Sequence, residues 1–280
     1  MENKITLWED LQQKAAVIRL GILEGVHAAA SGHPGGSLSI ADLMAYLYFK
    51  EMNVDPTNPK WNGRDRFVLS KGHAAPALYA TLALRGFFPM DEIKNLRQID
   101  SFLQGHPDMT KVPGVDMSTG SLGQGISAAC GMALSAKLDR ADYRVYTIVG
   151  DGESEEGQVW EALMFAAHHH LDNLCVVIDW NGLQIDGTLE QVVNPAPYGE
   201  KLKGFGFHVI EIDAHNFDEI DRAFAEARET KGQPTAIVAK SVKGKGVSYM
   251  ENVAKWHGSA PNDELYEQAR AEIEALIQQA

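Results

Sequence analysis

The chain has 280 residues, 45% of them hydrophobic and 22% charged, an ordinary globular composition that excludes a disordered chain. Lysine and arginine number 25 against 38 aspartates and glutamates, so the formal net charge is −13. A surface this acidic repels nucleic-acid phosphates and anionic lipid, and no stretch approaches the ~18 uncharged apolar residues of a membrane span, so neither nucleic acid nor membrane is an expected partner.

Two cysteines, Cys130 and Cys175, cannot build a disulfide framework, and both sit in apolar runs. Reduced, buried thiols in a cytoplasmic protein are expected. The opening MENKITLWEDLQQ has no signal-peptide core. One α/β sheet can take the whole length, so a single domain over 1–280 is expected.

In chain order, apolar spacing (Leu11, Ala15, Ile18, Ile22, Val26) predicts a helix over 7–30, and a second over 39–49 capped by Ser37 or Ser39. A loop over 53–63 leads to a short buried strand over 67–69 and a helix over 73–85. Further on, helix 123–138 precedes strand 144–149, helix 155–170 and strand 174–178. Strand 208–212, helix 218–229, strand 235–239 and a C-terminal helix over 263–279 complete the pattern. Short Val/Ile runs between long helices imply βαβ units: an α/β fold with a mostly parallel central sheet and helices on both faces. Such sheets bind ligands at the carboxyl ends of their strands.

Three loops at such positions carry unusual residues. Gly150-Asp151-Gly152-Glu153 directly follows a strand, where glycine permits close backbone approach and the next helix would offer free N–H groups to an anion. A plain βα turn is the alternative. Asp179-Trp180-Asn181-Gly182-Leu183 follows the next strand. If the two tips meet, the Asp151 carboxylate, the Asn181 amide oxygen and one backbone carbonyl supply three hard oxygens for Mg²⁺, with a diphosphate and water completing about six. The alternative for Asn181-Gly182 is a type I′ turn. The third loop, 118–125 (STGSLGQG), opens a helix, yet is neither a Walker A nor a strand-fed Gly-x-Gly-x-x-Gly.

Four histidines, His33, His73, His106 and His257, each stand beside glycine in a loop or at a helix start. Imidazoles placed so suit hydrogen bonding to sugar hydroxyls and proton transfer near neutral pH. His168-His169-His170, at a helix C-terminus, reads as solvated surface rather than a metal site.

These residues converge on a family. SGHPGGSLS, DRFVLSKGHAAPALYA, GHPD, TGSLGQG, VGDGESEEGQVWEA, DWNGLQIDG, KSVKGKGVSYMEN and WHGSAP run in family order from residue 31 to 261. In them the chain resembles the N-terminal, diphosphate-binding part of transketolase, a thiamine-diphosphate enzyme. The resemblance implies that Asp151 and Asn181 by side chain, and Leu183 by its carbonyl, hold Mg²⁺ or another divalent cation such as Ca²⁺ or Mn²⁺. It implies that Gly152 meets the diphosphate, that Gly120, Ser121 and Leu122 pack on the aminopyrimidine, and that His73, Lys243, His257 and, more weakly, Gly36 touch the cofactor. His33, His106 and His257 would surround the two-carbon unit of the sugar, and His33 and His257 would assist proton movement. Gly36 departs from family members that carry a hydroxyl or a longer residue there. Glu156 bridges subunits in related enzymes; a surface glutamate is the competing reading.

Full-length transketolases are more than twice this length. What this chain lacks includes a second α/β domain whose glutamate protonates the cofactor's pyrimidine ring. The resemblance therefore implies the N-terminal subunit of a split transketolase, working in the pentose phosphate pathway on sugar phosphate substrates. It would be completed by a C-terminal transketolase subunit in an α2β2 heterotetramer, with Ala280 its natural end. The competing readings are half of another thiamine-diphosphate enzyme (the α chain of a 2-oxo acid dehydrogenase, or a piece of 1-deoxyxylulose-5-phosphate synthase) and a cofactor-binding, non-catalytic paralogue. Which ketose is the donor, sulfonated or otherwise modified ones included, is left open by this half.

Overall fold

The computed structural model describes the backbone of residues 2–279 and the side chains of residues 6–278, so Met1 and Ala280 lie outside the described residues. The Val/Ile-rich runs form five strands: β1 (Arg66–Leu69), β2 (Val145–Gly150), β3 (Leu174–Trp180), β4 (His208–Asp213) and β5 (Thr235–Lys240). They pair in the order β1-β2-β3-β5-β4, each pair parallel. β4 stands at the edge because the chain skips one position after β3 and returns inward with β5.

Both faces are covered. Side chains alternate across each strand, so Phe67, Tyr146, Ile148 and Val177 face one core, and Val68, Val145, Val149 and Val176 the other. The first core is closed by α1 (Glu2–Ala28), α3 (Ala41–Tyr46), α4 (Ala75–Arg85) and α8 (Phe217–Glu229), with α9 (Asp263–Gln279) packed along α1. Opposite lie α5 (Gln124–Asp139), α6 (Gly157–His168) and α7 (Tyr198–Phe205). Cys130 and Cys175 are buried free thiols, both pushed up to about 12 by burial. Among the described residues no helix is long and apolar enough to cross a membrane.

Three expectations need correction. The helix expected over 39–49 is broken: α2 (Pro34–Leu38) ends at Ser39, α3 follows, and a wide turn over Leu47–Glu51 closes the segment. Neither serine caps it. Ser37 Oγ donates to the His33 carbonyl, and Ser39 Oγ donates to the Gly36 carbonyl and to Asp179. The helix expected from 155 starts at Gly157, after a tight turn over Gly152–Glu155 whose cap is Asp151. The Gly152 N–H therefore donates to the Asp151 carboxylate at 2.9 Å instead of opening an α-helix. α7 was not expected at all, because its eight residues carry two lysines, a glutamate and two glycines.

A short clamp ties the outer helices to the segment after β5. Asp42, on α3, receives both Arg19 terminal nitrogens, at 3.1 Å on Oδ1 and 2.5 Å on Oδ2, and His215 Nδ1 at 2.7 Å. His215 Nε2 accepts the Val242 N–H at 3.0 Å, and Arg19 Nε donates to the Lys245 carbonyl at 3.2 Å. Lys243 and Gly244 lie between those two anchors on the same strand exit.

Candidate active site

The parallel register sets Gly150 opposite Asp179, so the tips of β2 and β3 meet as expected and the Asp151 N–H donates to the Asp179 carbonyl at 3.2 Å. A cavity of about 200 Å³ opens at this carboxyl edge. Asp151, Asn181 and Leu183 face it at one end, and His73, His257 and Lys243 along the side. Gly36, Leu122 and Gly152 complete the expected part of its wall.

The residues expected to hold a cation lie together at the cleft. Asp151 is buried and accepts from Gly152 N–H and, at 2.6 Å, from Gly182 N–H. Asn181 Oδ1 accepts the Leu183 N–H at 3.1 Å, an Asx turn with Gly182 at φ +78° rather than a free hairpin. The Leu183 carbonyl accepts Lys243 Nζ at 2.7 Å, so an ammonium group rests on the oxygen assigned to the metal. Burial and the neighbouring Asp179 charge push the Asp151 carboxyl up, while burial lowers Lys243. Three buried carboxyls (Asp151, Glu153, Asp179) stand with two buried amines (Lys71, Lys243), so acid outnumbers base around the cleft. A carboxylate, an amide oxygen and a carbonyl are the hard donors Mg²⁺ takes, so these residues fit that ion.

The histidines converge. Ring centroids of His33, His73 and His257 lie 5.1–5.5 Å apart. Burial and then the Arg97 charge push His33 down to about 4; burial and then Lys243 push His257 down to about 3; burial and Lys71 hold His73 well below its ordinary value. Neutral imidazoles both give and accept hydrogen bonds, as a hydroxyl-rich ligand requires. His33 Nδ1 is buried with no partner among the described residues. His106 is exposed and packs on Gly120, which has φ +150° and whose Cβ would meet the His106 ring at 3.0 Å. Ser121 is exposed and, like His33 and His106, stands off the cavity lining. Glu156 is exposed, and His168, His169 and His170 are exposed at the end of α6.

Several site residues were not singled out in the sequence. Glu153 is buried, its Oε1 accepting from Ser70 Oγ (2.6 Å) and Gly123 N–H (2.9 Å) and its Oε2 from Gly150 N–H (2.9 Å). One carboxyl thus joins the ends of β1 and β2 to the start of α5. Lys71 donates to the Gly36 carbonyl and to Asp179 Oδ2, both at 2.6 Å, in a buried ion pair beneath the cavity. Burial would raise Asp179, but Lys71 and the other donors outweigh it and hold the carboxyl below its ordinary value. Arg97, tethered to Ser31 Oγ at 2.9 Å, supplies the charge beside His33 and His106. An acid at the tip of an apolar strand, as in LCVVID, was the available signal for Asp179; nothing in the pattern marked Lys71 or Glu153 as buried.

The family described as "Transketolase, thiamine diphosphate binding domain" matches residues 11–275. The 6-deoxy-6-sulfo-D-fructose transketolase subunit SqwG of Clostridium sp. (strain MSTE9) is 48% identical over 265 residues, 95% of this chain and 96% of that protein. An apulose-4-phosphate transketolase subunit from Phocaeicola vulgatus is 42% identical over 270 residues, 96% of each. The crystal structure of transketolase from Campylobacter jejuni superimposes with a TM-score of 0.89 at 33% identity, covering 95% of this chain and 43% of that one. With the same fold and a family match over almost its whole length, the chain belongs to the transketolase family, in its thiamine-diphosphate-binding domain.

Proposed function

We propose that this chain is the N-terminal, diphosphate-binding subunit of a cytoplasmic transketolase that uses thiamine diphosphate and Mg²⁺, acting as one domain over 1–280 and active with a separate C-terminal subunit in an α2β2 heterotetramer. One observation carries the reading: a single cleft joins a hard-oxygen donor set to a cluster of neutral histidines. Relatives of matching length that are named as subunits support the two-chain form.

When bound, thiamine diphosphate supplies the carbon nucleophile that breaks and remakes the bond to the two-carbon ketol unit, and the divalent cation neutralises its diphosphate. Asp151, Asn181 and Leu183 hold the cation. Lys243, the Gly152 backbone, His73 and Gly36, which line the same cavity, would hold the cofactor. Gly120, Ser121 and Leu122 support the aminopyrimidine. His33, His106 and His257 orient the sugar hydroxyls, and His33 and His257, neutral at pH 7, accept and return protons there.

The test is two-carbon transfer from xylulose 5-phosphate to ribose 5-phosphate with cofactor and Mg²⁺, using this chain alone and with a C-terminal subunit. Activity only in the mixture is expected, and activity of the chain alone would refute the need for a partner. Cofactor binding without transfer from any donor would favour a non-catalytic paralogue. 6-Deoxy-6-sulfo-D-fructose and apulose 4-phosphate, donors suggested by the relatives' names, belong in the same panel.

A further inference from the structure

Asp179 has no surface exposure and yet bonds to both residues assigned to the cation, to Asp151 through its backbone and to Asn181 through its side chain. Its carbonyl accepts the Asp151 N–H at 3.2 Å, and its Oδ2 accepts Asn181 Nδ2 at 3.0 Å. The same oxygen receives Ser39 Oγ at 2.9 Å and Lys71 Nζ at 2.6 Å, while Oδ1 receives Ser241 Oγ. These donors come from the ends of α2, β1 and β5, so the carboxylate is held from three sides.

An asparagine amide is nearly symmetric in shape, and its two ends differ only in chemistry: one donates, the other accepts. A cation can use the oxygen alone. An ionised carboxylate can only accept, so whichever end of Asn181 faces Asp179 must be the NH₂. We propose that Asp179 is a positioning residue that fixes the orientation of the Asn181 amide and thereby leaves Oδ1, not Nδ2, to the bound cation. This rests on the cation-site reading above and deepens it. Leu183 N–H, donating to Oδ1 at 3.1 Å, reinforces the same orientation from the far side. Partners that orient a metal ligand from behind are worth about 10–100-fold in metal affinity.

The test is a double-mutant cycle on the full chain, reading Mn²⁺ binding by electron paramagnetic resonance in the presence of thiamine diphosphate, with no turnover required. Asp179→Asn alone is expected to weaken Mn²⁺ binding about tenfold or more, because the amide at 179 no longer dictates which end Asn181 presents. In the Asn181→Asp background the same change is expected to cost nothing, since a carboxylate offers oxygen either way. Equal losses in both backgrounds would show that Asp179 acts only through its charge or through packing, and would overturn the inference. Undiminished binding in Asp179→Asn alone would overturn it as well. A wild-type chain that binds no Mn²⁺ would overturn the cation site itself, and the inference with it. Thermal melting checks the fold of each variant. The wild-type chain gives a second reading independent of folding: the Asn181 Nδ2 protons, assigned by their loss in Asn181→Asp, should exchange slowly with solvent. Rapid exchange would overturn the inference.

Discussion

Lys243 Nζ lies 2.7 Å from the Leu183 carbonyl oxygen and 3.0 Å from His257 Nδ1, so one lysine bridges the cation end of the cleft and its histidine cluster. On the proposed cation site, the ammonium rests on an oxygen that the cation would also take, so the two would compete for it.

Replacing Lys243 with Met should therefore move two affinities in opposite directions. Without cofactor, Mn²⁺ binding followed by paramagnetic resonance tightens, because the competing charge is gone. Thiamine diphosphate binding followed by calorimetry weakens about tenfold or more, the scale of a lost hydrogen bond to a charged group. Parallel losses in both would show that Lys243 does not sit on the cation's carbonyl.

Glu153→Gln should destabilise the chain by about 1–3 kcal/mol in urea unfolding. Glutamine presents one acceptor oxygen where three donors converge, so its NH₂ must face a backbone N–H, that of Gly150 in one orientation and that of Gly123 in the other. Cofactor affinity should fall too, since the same carboxyl aligns Gly150 and Gly123 around the cleft. An unchanged unfolding midpoint would mean the three loops hold their places without it.

His33 should titrate at about 4 in an NMR series rather than at its ordinary 6.5. Its folded value lies below the unfolded one, so its contribution to stability is complete above pH 6.5 and is lost as the pH falls from there towards 4. Titration close to 6.5 would mean the ring is less enclosed in solution and farther from Arg97.

Asp42→Asn should cost about 3–5 kcal/mol at pH 7, because it leaves Arg19 buried without its carboxylate. Burial opposes ionisation of Asp42, but Arg19 and His215 overcome it and hold the carboxyl below its ordinary 3.8. A depressed folded value gives stability that is present above 3.8 and lost as the pH falls below it. The gap between wild type and variant in urea unfolding should thus be full at pH 7 and shrink at pH 3. A gap independent of pH would mean that the carboxylate's charge plays no part.

Much of this was legible before any coordinates. The alternation of Val/Ile runs with long amphipathic stretches identified all five strands within a residue or two, because buried parallel strands have little compositional freedom. Gly150-Asp151-Gly152 and Asn181 could be paired because consecutive βα units put their tips together. Side-chain recruitment was harder to read. Ser39 looked like a helix cap, since serine before an apolar run usually is one, but Asp179, 140 residues away, takes its hydroxyl. The same limit hid Lys71: a lysine in a glycine-flanked loop gives no local sign that it will be buried against a strand-tip acid. The inserted position of β5 was equally out of reach, because connection order does not state spatial order.

The Arg19–Asp42–His215 clamp carries a practical lesson for handling the protein. Expression work commonly treats an N-terminal helix as expendable, trimming it for crystals or replacing it with a tag. Here α1 supplies the arginine that braces the Lys243 segment from outside the cleft. A deletion running past residue 19 would leave every motif residue in the chain, yet would remove the brace on the lysine proposed to meet the cofactor, along with the buried Leu11, Ala15 and Ile18.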